Sequence, residues 1–130
     1  MSIEKGNMVT ASYKTGRYIG KVIESKPSME KAVVEILAVL VHPKQGDLHS
    51  PNNADVTFFH ERPALAFTEK ALVPLTNIKK YDKAVPDYRE SLLNAVHLQI
   101  SNLSNEGSDY AKLALQRLNT LKDEYESKKN

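Results

Sequence analysis

The position of the prolines divides this chain into two parts. All six prolines lie at or before Pro86, and four of the five glycines precede it as well. Proline inside a helix removes a hydrogen bond and clashes with the preceding turn, so long helices are expected only after this point. The first part is rich in β-branched residues, which favour strands. We therefore predict a β-rich domain over residues 1–84 and a helical extension over residues 85–130.

The first strands form a predicted hairpin. In "MVTASY", Val9, Ala11 and Tyr13 alternate with Met8, Thr10 and Ser12, the period of a half-buried strand, and in the return segment Tyr18 and Val22 alternate with Ile19 and Ile23. The connecting "KTGR" places Gly16 where a positive φ is needed. Gly20, inside the return strand, indicates a bend or a close backbone approach. "EKAVVEILAVLVH" follows as a long, bent strand with both faces buried, ended by Pro43.

Further short strands complete the predicted sheet. "DVTFFHER" alternates over residues 55–62, and "ALAFTEKALVPLTNIKKY" offers two extended pieces with Pro74 at an edge or a bulge. About five short strands joined by tight turns are typical of a small barrel or sandwich.

The second part has helical spacing. Pro86 and Asp87 suit a first helical turn, and Ser108 suits the N-cap of a second helix after the break at "SNEGSD". The short break predicts an antiparallel pair. The first apolar stripe consists of Val85, Tyr88, Leu92, Val96, Ile100 and Leu103. The second consists of Tyr110, Leu113, Ala114, Arg117, Leu118, Leu121 and Tyr125. Neither helix can bury its stripe alone, so we expect the pair to pack on the barrel or on a second copy, and a homodimer stays open.

Composition limits the classes of function. The chain has no cysteine, which excludes disulfides, thiol nucleophiles and cysteine-rich zinc sites within it. A net charge of +2 is too small to argue for nucleic acid or anionic lipid. The start "MSIEKGNMV" lacks the apolar core of a secretory signal, and no apolar run approaches the roughly 20 residues that span a bilayer. We expect a cytoplasmic protein with no membrane anchor of its own.

The segment from His42 to Arg62 holds three of the four histidines. His42, Asp47, His49, Asp55 and His60 could supply metal ligands. Their spacing is not that of a compact ligand motif, so we expect no metal. Ser50 beside His49 lacks the further partners of a hydrolytic site, and there is no P-loop or GxGxxG. We therefore expect no enzyme, no cofactor and no small-molecule substrate.

A basic hairpin is the alternative site. Lys14, Arg17 and Lys21 lie among Tyr13 and Tyr18, and small barrels bind nucleic acid through such surfaces. Lys79, Lys80 and Lys83 could extend it. Tyrosines at a core edge and lysines that keep a strand edge soluble explain the same residues, so nucleic acid is the minor alternative.

Longer strings carry a resemblance to a known family. "YKTGRYIGKV", "EILAVLVHPKQGDLHSP", "DVTFFHERPALAF" and "VPDYRESL" together resemble the kinase-associated protein B family of spore-forming bacteria. The resemblance runs from about Gly6 into the second helix. It implies a small bent SH3-like barrel with a helical extension and a non-enzymatic accessory role. It also implies, as partner, a membrane sensor histidine kinase of the sporulation phosphorelay, or a protein associated with it.

One departure from the family concerns the membrane. The family is often called a lipoprotein, and a lipid of that kind needs a cysteine that this chain lacks. Contact with the membrane would then pass through the partner. The resemblance supplies no catalytic residues. The polar loop is a candidate partner surface, although it could equally serve only to close the barrel. The candidate residues are His42, Gln45, Asp47, His49, His60, Glu61 and Arg62.

Overall fold

Five strands and two helices make up the protein in its computed structural model, which describes residues 3–46, 53–54 and 59–128. The strands are β1 (Met8–Tyr13), β2 (Gly16–Lys26), β3 (Lys31–Val41), β4 (Lys70–Pro74) and β5 (Ile78–Lys80). The helices are α1 (Tyr88–Ser104) and α2 (Asp109–Ser127). Short 3-10 turns at Pro27–Met29 and Leu75–Asn77 join β2 to β3 and β4 to β5.

The strands form one antiparallel sheet in the order β4-β3-β2-β1-β5. β1 and β4 approach each other although two strands separate them in this order, so the sheet is strongly bent. It is not closed, because β4 and β5 are its two edges. The predicted architecture, a small bent barrel-like sheet of about five strands with a C-terminal helix pair, is confirmed. The particular likeness to SH3 barrels stays a prediction.

The first hairpin turns differently from the prediction. Tyr13 pairs with Gly16, which leaves a two-residue turn in which Lys14 and Thr15 have φ of 46° and 70°. A two-residue hairpin turn of this kind needs positive φ at both central positions, so the prediction of positive φ at Gly16 was wrong. Gly16 is needed for space, because a Cβ there would lie 2.5 Å from the hydroxyl oxygen of Tyr18.

The bend in the sheet lies where β2 meets β3. The register between these strands shifts at three places, one of them between Ile19 and Gly20. A Cβ on Gly20 would lie 2.5 Å from the carbonyl oxygen of Glu35, which confirms the predicted close backbone approach. β3 ends at Val41, two residues before Pro43, as expected. Its residues alternate between buried and half-buried as far as Ala38, so burial of both faces was wrong over most of its length.

Another predicted strand is not formed where it can be observed. Residues 55–58 lie outside the described residues, and residues 59–62 are irregular. Their polar groups bond to the loop after β3 instead of to a strand ladder. The two short pieces that follow are β4 and β5, and Pro74 ends β4 on the edge of the sheet, as predicted.

The helix pair is antiparallel and packs on the sheet. α1 begins two residues later than Pro86, because the side chain of Asp87 accepts a hydrogen bond from the amide of Glu90 and is therefore the N-cap. Ser108 caps α2 as predicted. The Arg89 side chain donates to the carbonyl of Glu126 at 2.9 Å, which places the start of α1 beside the end of α2.

One buried core joins the sheet to the helices. Sheet residues such as Val9, Tyr18 and Ile36 share it with residues of both helices. The helices contribute Leu92, Ala95, Val96, Leu118, Leu121 and Tyr125. The helix pair therefore packs on the sheet, which was one of the two arrangements expected. The division into a barrel over residues 1–84 and an extension over 85–130 stays a prediction.

Candidate interaction site

Gln45 holds together the base of the loop that follows β3. Its side chain is 3 % exposed. The amide nitrogen donates to the carbonyls of Pro43 (3.1 Å) and Arg62 (2.9 Å), while the amide oxygen accepts from the backbone nitrogen of Arg62 (2.8 Å). The side chain of Gln45 thus bonds to the backbone of residue 62 as a neighbouring strand would. The backbone carbonyl of Gln45 accepts a hydrogen bond from the hydroxyl of Tyr110 on α2 (2.9 Å).

Gly46 extends this clamp. Its backbone nitrogen donates to the carbonyl of His60 at 2.9 Å, and its carbonyl accepts from Nε of Arg62 at 2.9 Å. Its φ of +100° lies in the region that favours glycine, and a Cβ here would meet the Phe59 ring at 3.0 Å. The two ends of the loop are therefore fixed to each other at residues 45–46 and 60–62.

His42 joins the same loop to both helices. It is 1 % exposed. Nδ1 lies 3.0 Å from the carbonyl of Pro43 and 3.2 Å from Oε1 of Gln99 on α1, and Nε2 lies 2.9 Å from the hydroxyl of Tyr125 on α2. Since both neighbours of Nδ1 are acceptors, we assign the proton of the neutral ring to Nδ1. Nε2 then accepts from Tyr125.

Burial keeps His42 neutral. Desolvation lowers its pKa below the ordinary value of 6.5, against the smaller opposite effect of its bonds to Pro43 and Gln99. Burial also raises the pKa of Tyr125 to about 12, so its hydroxyl keeps its proton at neutral pH. This pair is therefore a hydrogen-bonded structural contact, and neither group is poised for proton transfer near pH 7.

Tyrosine hydroxyls secure the segment that leads from the loop to β4. The hydroxyl of Tyr125 accepts from the amide of Ala64 at 3.1 Å, and that of Tyr18 accepts from the amide of Leu65 at 3.3 Å. The hydroxyl of Tyr88 donates to the carbonyl of Leu65. Two tyrosines of the core and one packed against it thus bond to the backbone of a chain segment that has no regular structure.

The predicted partner surface divides into buried and exposed residues. His42 and Gln45 are buried and hold the loop, so their side chains are not at the surface to meet a partner. His60 and Glu61 are exposed and Arg62 is half-buried. Asp47 and His49 lie outside the described residues. Among the described residues of the candidate site, the accessible part is therefore the short stretch 60–62, and Gln45 bonds to it at Arg62.

Metal binding finds little support around His42. Both of its ring nitrogens already have hydrogen-bond partners. Within residues 3–46, 53–54 and 59–128, no three His, Cys, Asp or Glu side chains come together as metal ligands would. Asp47, His49 and Asp55 are not among these residues, so the expectation of no metal stays a prediction.

The alternative basic surface is exposed but spread out. Lys14 lies on the hairpin turn with its ammonium 5.3 Å from the centre of the Tyr13 ring. Arg17 and Lys21 are exposed on β2, and Lys21 lies directly opposite Glu35 in the register. Opposite charges on adjacent strands weaken the local positive potential. The tyrosine between them, Tyr18, is buried and cannot stack on a base.

Sequence reasoning missed the residues that anchor the loop from the helices. Tyr110 and Tyr125 were assigned to an apolar stripe, and Gln99 was not singled out. The hydroxyls of the two tyrosines could have indicated this role, because a buried tyrosine hydroxyl normally has a hydrogen-bond partner. Arg117 was expected to lend its aliphatic stem, and its Nε also lies 3.4 Å from the carbonyl of Phe59.

The protein is a bent antiparallel sheet followed by a helical hairpin. Buried polar side chains fix the loop that follows β3. Among the described residues, neither helix is both long and apolar enough to cross a membrane. Residues 13–126 match the family model for kinase associated protein B. The chain belongs to this family.

Two relatives agree with this assignment. The chain is 46 % identical over 124 residues to the kinase-associated lipoprotein B of Bacillus subtilis (strain 168), covering 95 % of each chain. It is also similar to the crystal structure of kinase-associated protein B from Bacillus cereus, with 39 % identity and a TM-score of 0.81. That likeness covers 96 % of this chain and 99 % of the other.

Proposed function

We propose that this chain is a non-enzymatic accessory protein of a kinase. The observation that carries the proposal is the similarity to kinase-associated lipoprotein B, which extends over 95 % of both chains. We further propose that the kinase is a membrane sensor histidine kinase of the sporulation phosphorelay, and that the chain acts on it by protein–protein contact.

The chemistry of the interior supports a binding role. Every buried side-chain nitrogen and oxygen of the described residues has a hydrogen-bond partner within the protein. Both ring nitrogens of the buried His42 form hydrogen bonds that hold the loop. The buried polar groups thus serve the fold, and the exposed stretch 60–62 is left as the surface that they present.

The relative's name raises the question of the membrane. Lipid attachment of the lipoprotein kind needs a cysteine, and this chain contains none. We propose that the chain works in the cytoplasm and reaches the membrane through the kinase that it binds.

Complementation tests the role. A Bacillus subtilis strain without its kinase-associated lipoprotein B would express this chain, and phosphorelay output and sporulation frequency would be measured. We expect the chain to restore both. Restoration of neither by a chain that accumulates normally would overturn the proposed role.

A pull-down tests direct contact. The purified chain would be immobilised and offered the cytoplasmic part of each sensor histidine kinase of that strain. We expect one of them to be retained, and Glu61→Ala/Arg62→Ala to weaken its retention. Glu24→Ala/Lys26→Ala is the matched control, because this surface pair of opposite charge lies at the end of β2 farthest from Val41 and the loop. Equal retention of all variants would move the contact away from residues 60–62.

A further inference from the structure

A groove lies beside β5, one of the two edge strands of the sheet. β5 has β1 as its one hydrogen-bonded neighbour among the described residues. β1 begins at Met8, opposite Lys21, whereas β2 continues to Lys26. Between the overhanging end of β2 and the edge of β5 lies a groove of about 480 Å³.

The groove has an apolar floor and a basic rim. Ile3, Pro27, Leu75 and Ile78 contribute the apolar surface, and Lys79 and Lys80 of β5 contribute the charge. Among the residues that the structure describes, no acidic side chain lines it.

We propose that this groove and the edge of β5 bind an acidic segment of a partner protein in an extended conformation. An edge strand offers backbone N–H and C=O groups that an incoming strand can pair with, and an adjacent groove accepts every second side chain. Lys79 and Lys80 repel another basic edge and attract an acidic one. The volume of the groove lies within the range that is usual for ligand-binding clefts in proteins.

The lining favours a peptide over a nucleic acid. Proteins that bind single strands stack the bases on aromatic rings, and no aromatic side chain of the described residues lines this groove. Its apolar surface is aliphatic, which suits branched aliphatic side chains. The proposal does not depend on the kinase role, because any partner with an acidic extended segment would fit.

A synthetic strand tests the proposal with the full-length protein. The probe is an acetylated peptide of alternating glutamate and valine, titrated to millimolar concentration while the backbone amides of Ile78, Lys79 and Lys80 are followed by NMR. Parallel titrations use the same sequence with lysine for glutamate, the acidic peptide with alternate backbone nitrogens methylated, and oligothymidine. The protein variants are Lys79→Glu/Lys80→Glu and, as a control of equal charge change, Lys14→Glu/Lys21→Glu.

We expect the acidic peptide to shift the β5 amides of the wild-type protein and of the control variant alike. Reversal of both rim charges should weaken binding about tenfold or more, because attraction between the lysines and the glutamates of the peptide is replaced by repulsion. The methylated peptide should lose a similar factor because it cannot pair with the edge. Unmoved β5 amides, equal weakening in both variants or unaffected binding of the methylated peptide would each overturn the proposal. Binding of oligothymidine in place of the peptide would assign the groove to nucleic acid.

Discussion

A single buried amide takes the place of a strand at the base of the loop. Gln45 bonds to both backbone groups of Arg62 and to the carbonyl of Pro43. Removal of its side chain would leave these groups buried or half-buried without their partners, which costs more than the net worth of the bonds themselves. We predicted this side chain as a contact for a partner. Because it is buried, it instead holds the exposed residues next to Arg62 in place.

Truncation of this side chain should therefore destabilise the protein. We expect Gln45→Ala to lower the free energy of unfolding by about 2–4 kcal/mol, measured by urea denaturation. Gln116→Ala is the control, because Gln116 is exposed on α2 and should change stability by less than about 0.5 kcal/mol. Similar small effects of both substitutions would contradict the role assigned to Gln45.

His42 makes the stability depend on pH. Its folded pKa lies below 6.5, the value of a free histidine. Below about pH 6.5 the unfolded chain takes up a proton that the folded protein does not, so the unfolded state is favoured. The stability from neutral, buried His42 is therefore complete above this pH and is lost as the pH falls towards the folded pKa.

The loss can be measured by comparing variants. We expect the free energy of unfolding to fall between about pH 7.5 and about pH 5.5, and to fall less in His42→Gln. His97→Gln is the control, since the side chain of His97 is 53 % exposed and its contact with the similarly accessible Glu126, at 4.0 Å, should contribute little. Other titrating groups act equally in all three proteins. An unchanged pH dependence in His42→Gln would show that His42 is not its source.

At the scale of elements, α1 completes the edge of β3. β4 pairs with β3 only from Lys31 to Glu35. Farther along, the amide of Val39 donates to the hydroxyl of Ser91 at 2.9 Å, and that hydroxyl donates to the carbonyl of Tyr88 at 2.8 Å. A helix side chain thus satisfies a backbone donor where the neighbouring strand has ended.

Loss of this hydroxyl should be felt although the side chain is small. We expect Ser91→Ala to cost about 1–3 kcal/mol, because the amide of Val39 becomes a buried donor with no acceptor. Ser101→Ala, on the exposed side of the same helix, should be neutral or slightly stabilising because alanine is the better helix former. Thermal unfolding of both variants decides, and equal melting temperatures would refute the role of Ser91.

The elements that the sequence predicted well are those set by local rules. The helix pair, the hairpin and the strand ending before Pro43 follow from periodicity, capping and proline. Prediction failed where distant residues decide the local structure. "FFHER" alternates like a strand. The backbone N–H and C=O of Arg62 nevertheless bond to the side chain of Gln45, far away in the sequence, and not to a neighbouring strand. The bonds of Ser91 and Tyr125 likewise depend on how the helices lie on the sheet, which no local pattern specifies.

For the whole molecule, the shared core makes the helices part of the stable unit. Leu92, Val96 and Leu118 are buried in the same cluster as Val9 and Tyr18. Burial of one leucine contributes about 1.5–3 kcal/mol to the free energy of unfolding. Loss of both helices therefore removes a stabilisation comparable to the whole free energy of unfolding of a small domain.

A fragment that ends at Ala84 should show this dependence. We expect it to aggregate or to melt well below the full chain, measured by light scattering and circular dichroism. Leu118→Ala in the full chain is the milder companion and should cost about 2–5 kcal/mol, since Leu118 is completely buried. A soluble, monomeric fragment as stable as the full chain would make the helices an independent arm.

The bonds of His42 and Gln45 to the helices also set how the loop moves. Its base is fixed to Gln99 of α1 and to Tyr110 and Tyr125 of α2. Opening it alone would strand these partners in the interior, so the base of the loop and the helix pair form one cooperative unit of local unfolding. We therefore expect the amide protons of Gly46 and Arg62 to exchange slowly with solvent, because the Gln45 that holds them is itself bonded to Tyr110 of α2.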